Sequence, residues 1–277
     1  MTDKYAVIGN PIEQSKSPLI HTRFAQLTGQ DIDYSAILGR IGGFRDDAES
    51  FRQAGGLGLN VTAPFKLDAF DYATELCEQA RLAGAVNTLK FEGDRILGQN
   101  FDGIGLIRDI VHNMGTPIEG KRILLLGAGG AARGAMLPLL EQRPAQLLVI
   151  NRTVSKAQVL FEQFKPYAKG EFAYGSYTDL AGSRQKFDLV INATSSSLHG
   201  EPPLVHAHAF TDSLLAYEMT YGKGLTPFLS LARNAGARRL VDGVGMLVEQ
   251  AAEAFTWWRG VRPETITMIE KLTVPLG

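Results

Sequence analysis

This 277-residue chain predicts a two-domain α/β protein in which one domain is a doubly wound parallel sheet. Three observations predict it. Short apolar runs alternate with longer amphipathic stretches through most of the sequence, the pattern of strands and helices in mainly parallel sheets. The length is large for one domain, so two compact units are the default. A glycine-dense turn, LLLGAGGAARG (Leu124 to Gly134), opens in mid-chain, where the character of the sequence changes.

The elements follow in order. The first part predicts a strand at Tyr5 to Ile8, a helix after Pro18, a second helix over Phe44 to Ala54 and a strand at Leu57 to Val61. A helical region from about Lys66 to Ala83 leads into a hairpin, AVNTLKF-EGD-RILGQ, with its turn at Glu92 to Asp94. The middle part gives a strand at Arg122 to Leu126, a helix at Gly130 to Glu141, a strand at Gln146 to Ile150 and a helix at Val154 to Phe164. Further strands read at Phe187 to Ile191, Leu214 to Tyr217 and Arg239 to Val241, and Gly245 to Gly260 forms one long helix with an apolar face.

Composition narrows the function. A formal net charge of -1 gives no electrostatic footprint for nucleic acid or an anionic membrane surface, which leaves a small molecule as the expected partner. The single cysteine, Cys77, excludes an internal disulfide framework and any cysteine-based zinc site, and fits a reducing cytoplasm. No stretch reaches the roughly 18 uninterrupted apolar residues of a membrane span. Gly9, Asn10 and Pro11 interrupt the first apolar run, so no signal-peptide core is expected and the protein reads as cytoplasmic.

In LLLGAGGAARG the glycines fall at Gly127, Gly129 and Gly130, with Ala132 at the third fingerprint position, between a strand and a helix. That context fits a nucleotide cradle, the alternative being a glycine-rich turn with no ligand. Gly127 permits the tight turn, Gly129 lets the backbone approach a pyrophosphate, and Ala132 allows close packing of helix on strand. About 20 residues on, an NAD site places an acidic residue on the ribose 2′-hydroxyl. Here the strand ends in VINRTVSK, and Asn151, Arg152, Thr153 and Lys156 offer two positive charges and a hydroxyl, which suits an extra phosphate on that ribose or, alternatively, a helix cap by Thr153 with Arg152 and Lys156 solvated.

A second constellation gathers at predicted strand ends. In GNPIEQSKSPLIH, Ser15 and Ser17 stand just before a helix start, where hydroxyls and free N–H groups form a carboxylate site or a plain helix cap. GLGLNVTAPFKLDAF puts Asn60, Thr62 and Lys66 at the end of a buried strand. A lysine against Ala63, Pro64 and Phe65 is partly desolvated, a setting suited to proton transfer. Asn87, Asn100 and Asp102 follow at the next junctions, and jointly these residues predict a polar pocket. No metal set is visible: His206 and His208 occur as H-A-H in a proline-rich loop, His21, His112 and His199 stand apart, and all five read as surface histidines. Trp257 and Trp258 read as packing residues.

The segments GNPIEQSKSPLIH, NVTAPFK, AGAVNTL, NFDGIG, GAGGAARG, NRTVSK, NATSS, YEMTYGKG and DGVGMLVEQAA together make the chain similar to the shikimate dehydrogenase family over essentially its whole length. The resemblance implies an N-terminal α/β substrate domain plus a Rossmann-type doubly wound nucleotide-binding domain. The substrate domain is discontinuous, residues 1–101 and 247–277, with the NADP domain, 102–246, inserted. It also implies reversible NADPH-dependent reduction of 3-dehydroshikimate to shikimate on the way to chorismate and the aromatic amino acids. The alternatives are a catabolic quinate/shikimate paralogue and a non-catalytic NADP-binding regulator, against which the presence of Lys66 and Asp102 argues.

Carried over by position, the resemblance implies a catalytic pair at Lys66 and Asp102. Substrate contacts fall on Ser15, Ser17, Asn60, Thr62, Asn87, Tyr221 and Gln250. Cofactor contacts fall on Gly127, Ala128, Gly129, Gly130 and Ala131, on Asn151, Arg152, Thr153 and Lys156, and on Met219, Gly243 and Glu78. A monomer or homodimer without metal is expected. Three positions depart from the family's usual pattern: Ser197 for Gly, Glu218 for Asp and Phe101 for Thr.

Overall fold

The computed structural model describes residues 2–183 and 185–276. It divides into two compact units, Met1–Gly105 with Val248–Met268, and Leu106–Leu247 with Ile269–Gly277.

The first unit runs β1 (Asp3–Gly9), α1 (Ser17–Thr28), β2 (Ile32–Leu38), α2 (Phe44–Gln53), β3 (Gly56–Val61), α3 (Lys66–Tyr72), β4 (Glu75–Leu76), α4 (Glu78–Ala83), β5 (Thr88–Glu92) and β6 (Arg95–Gln99). The chain leaves it through α5 (Asp102–Arg108). One mixed sheet results, ordered β2-β1-β3-β5-β6-β4. β1 is parallel to β2 and β3, whereas β5 is antiparallel to both β3 and β6.

The second unit runs β7 (Arg122–Leu126), α6 (Gly130–Glu141), β8 (Gln146–Ile150), α7 (Val154–Phe164), β9 (Glu171–Gly175), α8 (Tyr177–Gly182), β10 (Leu189–Asn192), β11 (Leu215–Glu218), α9 (Pro227–Asn234) and β12 (Leu240–Val241). Its sheet is parallel throughout and ordered β12-β11-β10-β7-β8-β9. Counted from β7, this is the dinucleotide-binding strand order, reversing between β7 and β10. Helices α10 (Val244–Arg259) and α11 (Ile266–Leu272) follow.

Strands buried on both faces appear in the sequence as unbroken apolar runs. β1 shows why: Ala6 and Ile8 join Phe44, Ala48, Phe65, Ala69 and Tyr72 on one face, while Tyr5 and Val7 join Ile12, Tyr34, Ala254 and Trp258 on the other. In the second unit Leu124, Leu126 and Val190 pack with Leu180, Phe228 and Leu229, and Leu276 of the terminal segment packs on the same cluster. No helix among the described residues is long and apolar enough to cross a membrane.

The region 66–83 is two helices, not one continuous helical stretch. Ala73 turns extended (φ -65°, ψ 134°), and the N–H groups of Thr74 and Cys77 donate to Ile96 O and Gly98 O of β6. The sheet edge outcompetes the helix there. α4 restarts with the Cys77 sulfur accepting from the Ala80 N–H. The hairpin turns at Gly93 (φ +61°), the positive φ that the first central residue of a two-residue hairpin turn requires. β2 and β9 have no counterpart among the predicted strands; both are edge strands.

Candidate active site

Strand direction gathers the polar residues of the first unit at one end of its sheet. β1 and β3 are parallel, so the segments leaving their C-terminal ends, 10–17 and 62–66, emerge on the same side. β5 returns antiparallel with Thr88 opposite Asn60, which brings Asn87 to that end. β6 pairs Gln99 with Thr88 and delivers Asn100 and Asp102 beside it.

Lys66 opens α3 and Asp102 opens α5. Lys66 Nζ donates to Asp102 Oδ2 at 2.5 Å, with the two side chains 35% and 20% exposed, so the ion pair is shielded yet open to a solute. The other carboxylate oxygen, Oδ1, accepts from Asn87 Nδ2 at 2.8 Å, and the same nitrogen lies 3.4 Å from Gln250 Oε1. Asn100 builds the frame: its Nδ2 donates to Ala85 O and its Oδ1 accepts the Asp102 N–H. Buried Asn60 accepts the Tyr34 hydroxyl at 2.6 Å and donates to Thr88 Oγ1 at 3.2 Å.

Thr62 is half-buried beside Gly9, where an added Cβ would stand 2.4 Å from the Thr62 methyl. Ser15 Oγ accepts the Ser17 N–H at 3.3 Å, leaving its own proton for a ligand. The capping position of α1 is Lys16, whose side chain makes no capping bond. Glu78, at the start of α4, is exposed in this unit.

In the second unit the glycine turn leaves β7 at the point where the strand order reverses, the place where open α/β sheets bind ligands. Gly127 has φ +106°, and a Cβ there would lie 3.1 Å from the Ala193 backbone. Gly129 and Gly130 are exposed, with nothing within 4 Å of an added Cβ. Backbone N–H groups and the start of α6 thus face open space, the shape that fits a pyrophosphate. Ala128 is buried, Ala131 exposed on the first turn, and Ala132 fully buried against the sheet. Gly127→Ala combines a left-handed φ with a backbone clash and is expected to cost roughly 1–3 kcal/mol. A thermal melt should show a loss of several degrees; an unchanged Tm would contradict this account of the turn.

β8 ends at Ile150, and residues 151–156 lead into the first turn of α7. Asn151 Nδ2 donates to Thr153 O at 2.8 Å and folds the turn. Thr153 occupies the N-cap of α7, yet its side chain makes no capping bond, so capping does not account for it. Arg152 and Lys156 are exposed and their side chains make no hydrogen bond or ion pair among the described residues. Arg152 lies near the Tyr177 phenol, whose pKa burial raises to about 12 against the opposing positive charge. These groups fit a ribose phosphate.

Gly243 and Met219 meet: an added Cβ on Gly243 would stand 2.3 Å from Met219 O, so only glycine fits. Tyr221 is 41% exposed in this unit. Ser197 and Glu218, two of the three departures, form one arrangement. The Ser197 hydroxyl donates to the fully buried Glu218 carboxylate at 2.5 Å, alongside Asn192 Nδ2 at 3.1 Å and the Thr226 hydroxyl at 3.1 Å. The longer acid reaches the hydroxyl that glycine would lack. Phe101 packs edge-on against Trp257 at 5.9 Å.

His21 corrects the expectation of surface histidines. It is fully buried, stacked on Tyr34 at 4.3 Å, and neither ring nitrogen has a hydrogen-bond partner. Burial lowers its pKa to about 3, with the neighbouring Asn60 amide only partly opposing. His112 and His206 are exposed and His208 is half-buried; the His199 side chain lies outside the described residues. No cluster of metal-ligating side chains occurs among the described residues. Trp258 is a packing residue, stacked on Tyr5 with its Nε1–H on Leu89 O. Tyr34 and Thr88 were missed as partners of Asn60, because only strand pairing brings them to it.

Three family models match the chain: the shikimate dehydrogenase substrate binding domain at residues 7–89, shikimate / quinate 5-dehydrogenase at 109–214, and the shikimate 5′-dehydrogenase C-terminal domain at 243–273. A relative from Nitrosospira multiformis named shikimate dehydrogenase (NADP(+)) is 54% identical, across 100% of this chain and 99% of its own. A crystal structure of an enzyme from Pseudomonas putida matches with a TM-score of 0.96 and 53% identity over all of both chains. The shikimate 5-dehydrogenase of Thermus thermophilus, solved in complex with NADP(H) and shikimate, matches with a TM-score of 0.85 and 28% identity over 97% of this chain and 98% of its own.

Proposed function

The chain belongs to the shikimate dehydrogenase family, and on that footing we propose that it reversibly reduces 3-dehydroshikimate to shikimate in the cytoplasm, on the way to chorismate. It is an NADP-dependent oxidoreductase. The ion pair of Lys66 and Asp102, held by Asn87 at the polar end of the first sheet, carries the reading.

NADP, when bound, supplies and receives the hydride. Gly127 to Ala131 would hold its pyrophosphate and Arg152 with Lys156 its 2′-phosphate. Charge developing on the ketone oxygen during reduction needs a proton donor within hydrogen-bond reach. Lys66 Nζ is that donor, and takes the proton back in the reverse direction. Asp102 aims the Lys66 amine, while Asn87 fixes the carboxylate. Ser15 and Ser17 bind the substrate carboxylate, and Asn60, Thr62 and Gln250 orient its hydroxyls.

Assay of shikimate and quinate, each with NADP and with NAD, by reduced-nicotinamide absorbance tests this reading. Shikimate with NADP should give the highest kcat/KM. A higher value with quinate or with NAD would replace it with the catabolic alternative, and no turnover in all four arms would replace it with a binding role. Ser15→Ala should raise KM for shikimate by roughly 5- to 30-fold, about 1–2 kcal/mol for one lost bond to a charged carboxylate. KM for NADP should hold. Equal loss for both ligands, or a fallen Tm, would instead make Ser15 a brace for the loop through its bond to the Ser17 N–H.

A further inference from the structure

A line of hydrogen bonds continues from the acid–base pair into the interior of the first unit. Its direction can be derived from one end. The Asp102 carboxylate only accepts, so Asn87 must present its NH2 group to Oδ1. The Asn87 carbonyl oxygen then faces inward and accepts both the Phe101 N–H at 3.0 Å and the Thr88 hydroxyl at 3.0 Å. Having donated to Asn87, Thr88 Oγ1 is an acceptor for Asn60 Nδ2 at 3.2 Å. The Asn60 oxygen is thereby left for the Tyr34 hydroxyl at 2.6 Å.

Every donor in this line points toward the carboxylate. Aligned hydrogen bonds polarise one another, and in a poorly solvated interior each link that fails leaves an unsatisfied polar atom. Thr88 is fully buried and Asn87, Asn60 and Tyr34 are nearly so, which keeps water from replacing a missing link. Tyr34 is held flat against His21 on its other side, and the Ser17 hydroxyl faces the same phenol. Thr88 is the join: its single hydroxyl connects two amides that otherwise have no common partner.

We propose that Thr88, with Tyr34 behind it, is a positioning residue for the reaction: it sets the amide orientation of Asn87, and so the carboxylate oxygen that Asp102 presents to Lys66. Neither residue is a catalytic group. Valine at position 88 keeps the shape of threonine but offers Asn87 no donor and Asn60 no acceptor. Asn87 is then oriented by the Phe101 N–H and Asp102 alone and Asn60 by Tyr34 alone, the link between the two amides is lost, and the Asp102–Lys66 geometry loosens. The proposal rests on the acid–base reading of Lys66 and Asp102.

The test is a cycle of Thr88→Val, Lys66→Ala and the double variant, with Thr88→Ser and Tyr34→Phe beside it. Thr88→Val should lower kcat for shikimate oxidation by about 10-fold with KM for NADP unchanged, and Thr88→Ser should restore kcat to within about twofold. Tyr34→Phe, which keeps the stacking on His21, should lower kcat by about threefold and supplies the same readout should Thr88→Val fail to fold. In the Lys66→Ala background neither substitution should reduce kcat further, because the group it positions is gone. An undiminished effect there, or wild-type kcat in both single variants, would overturn the proposal. The Lys66→Ala variant alone reports on the acid–base assignment, so the two failures are distinct.

Discussion

Replacing Lys66 by Ala is expected to lower turnover by roughly 100- to 10,000-fold, the scale of a positioned acid–base group, with a smaller change in substrate binding. The motive is geometric. Lys66 Nζ reaches Asp102 Oδ2 at the first turn of α3, and Asp102 is in turn fixed by Asn87, so the ammonium has one orientation and a shielded setting. Retention of more than about a tenth of wild-type turnover would remove Lys66 as the proton carrier. Asp102→Asn extends the test. An amide in that place sets an NH2 group against either the Lys66 ammonium or the Asn87 NH2, so turnover should fall although volume is kept.

Arg152→Ala should raise KM for NADP by about 10- to 150-fold and leave use of NAD nearly unchanged, since only NADP carries the 2′-phosphate. That range corresponds to one charge-assisted hydrogen bond of roughly 1.5–3 kcal/mol. Among the described residues no ion pair or hydrogen bond holds the Arg152 side chain, so its removal should disturb little else. Lys156, on a flexible stem in the first turn of α7, should matter less. Asn151→Asp should shift preference toward NAD by repelling the phosphate, while also losing the Asn151 Nδ2 bond to Thr153 O that folds the turn. Equal loss for NADP and NAD in the Arg152 variant would leave Arg152 as a support for the loop.

What could be read from the residues alone divides along a physical line. β7, α6, β8 and α7 begin and end where their apolar runs and glycine turn indicate, because strands buried on both faces leave no ambiguity of period. β2 and β9 escaped because edge strands are half-exposed: β2 buries only Tyr34 along IDYSAIL, and β9 only Gly175 along EFAYG. The break between α3 and α4 escaped because β6, more than 20 residues on, supplies the carbonyls that draw Thr74 and Cys77 out of the helix. At the site, local motifs pointed to Lys66, Asn87 and the glycine turn. His21 was misread because its burial comes from Phe255 and Trp258, at the far end of the chain. The Ser197–Glu218 pair was visible only as two separate oddities; distance in sequence hid that one answers the other.

The apolar side of the first sheet formed by Tyr5, Val7 and Tyr34 is covered by Ala254 and Trp258 of α10. The two halves of that contact are separated by the synthesis of the whole second unit. Ribosomes add roughly 5–20 residues per second, so a strand completed early waits on the order of ten seconds before Val248 and the residues after it are made. For that interval the nascent chain carries a sheet whose greasy side is only partly covered, by α1, while the second unit is still being synthesised. The first unit cannot complete its core in the order in which it is translated. Its maturation waits for α10, whose Ala254 and Trp258 close that side.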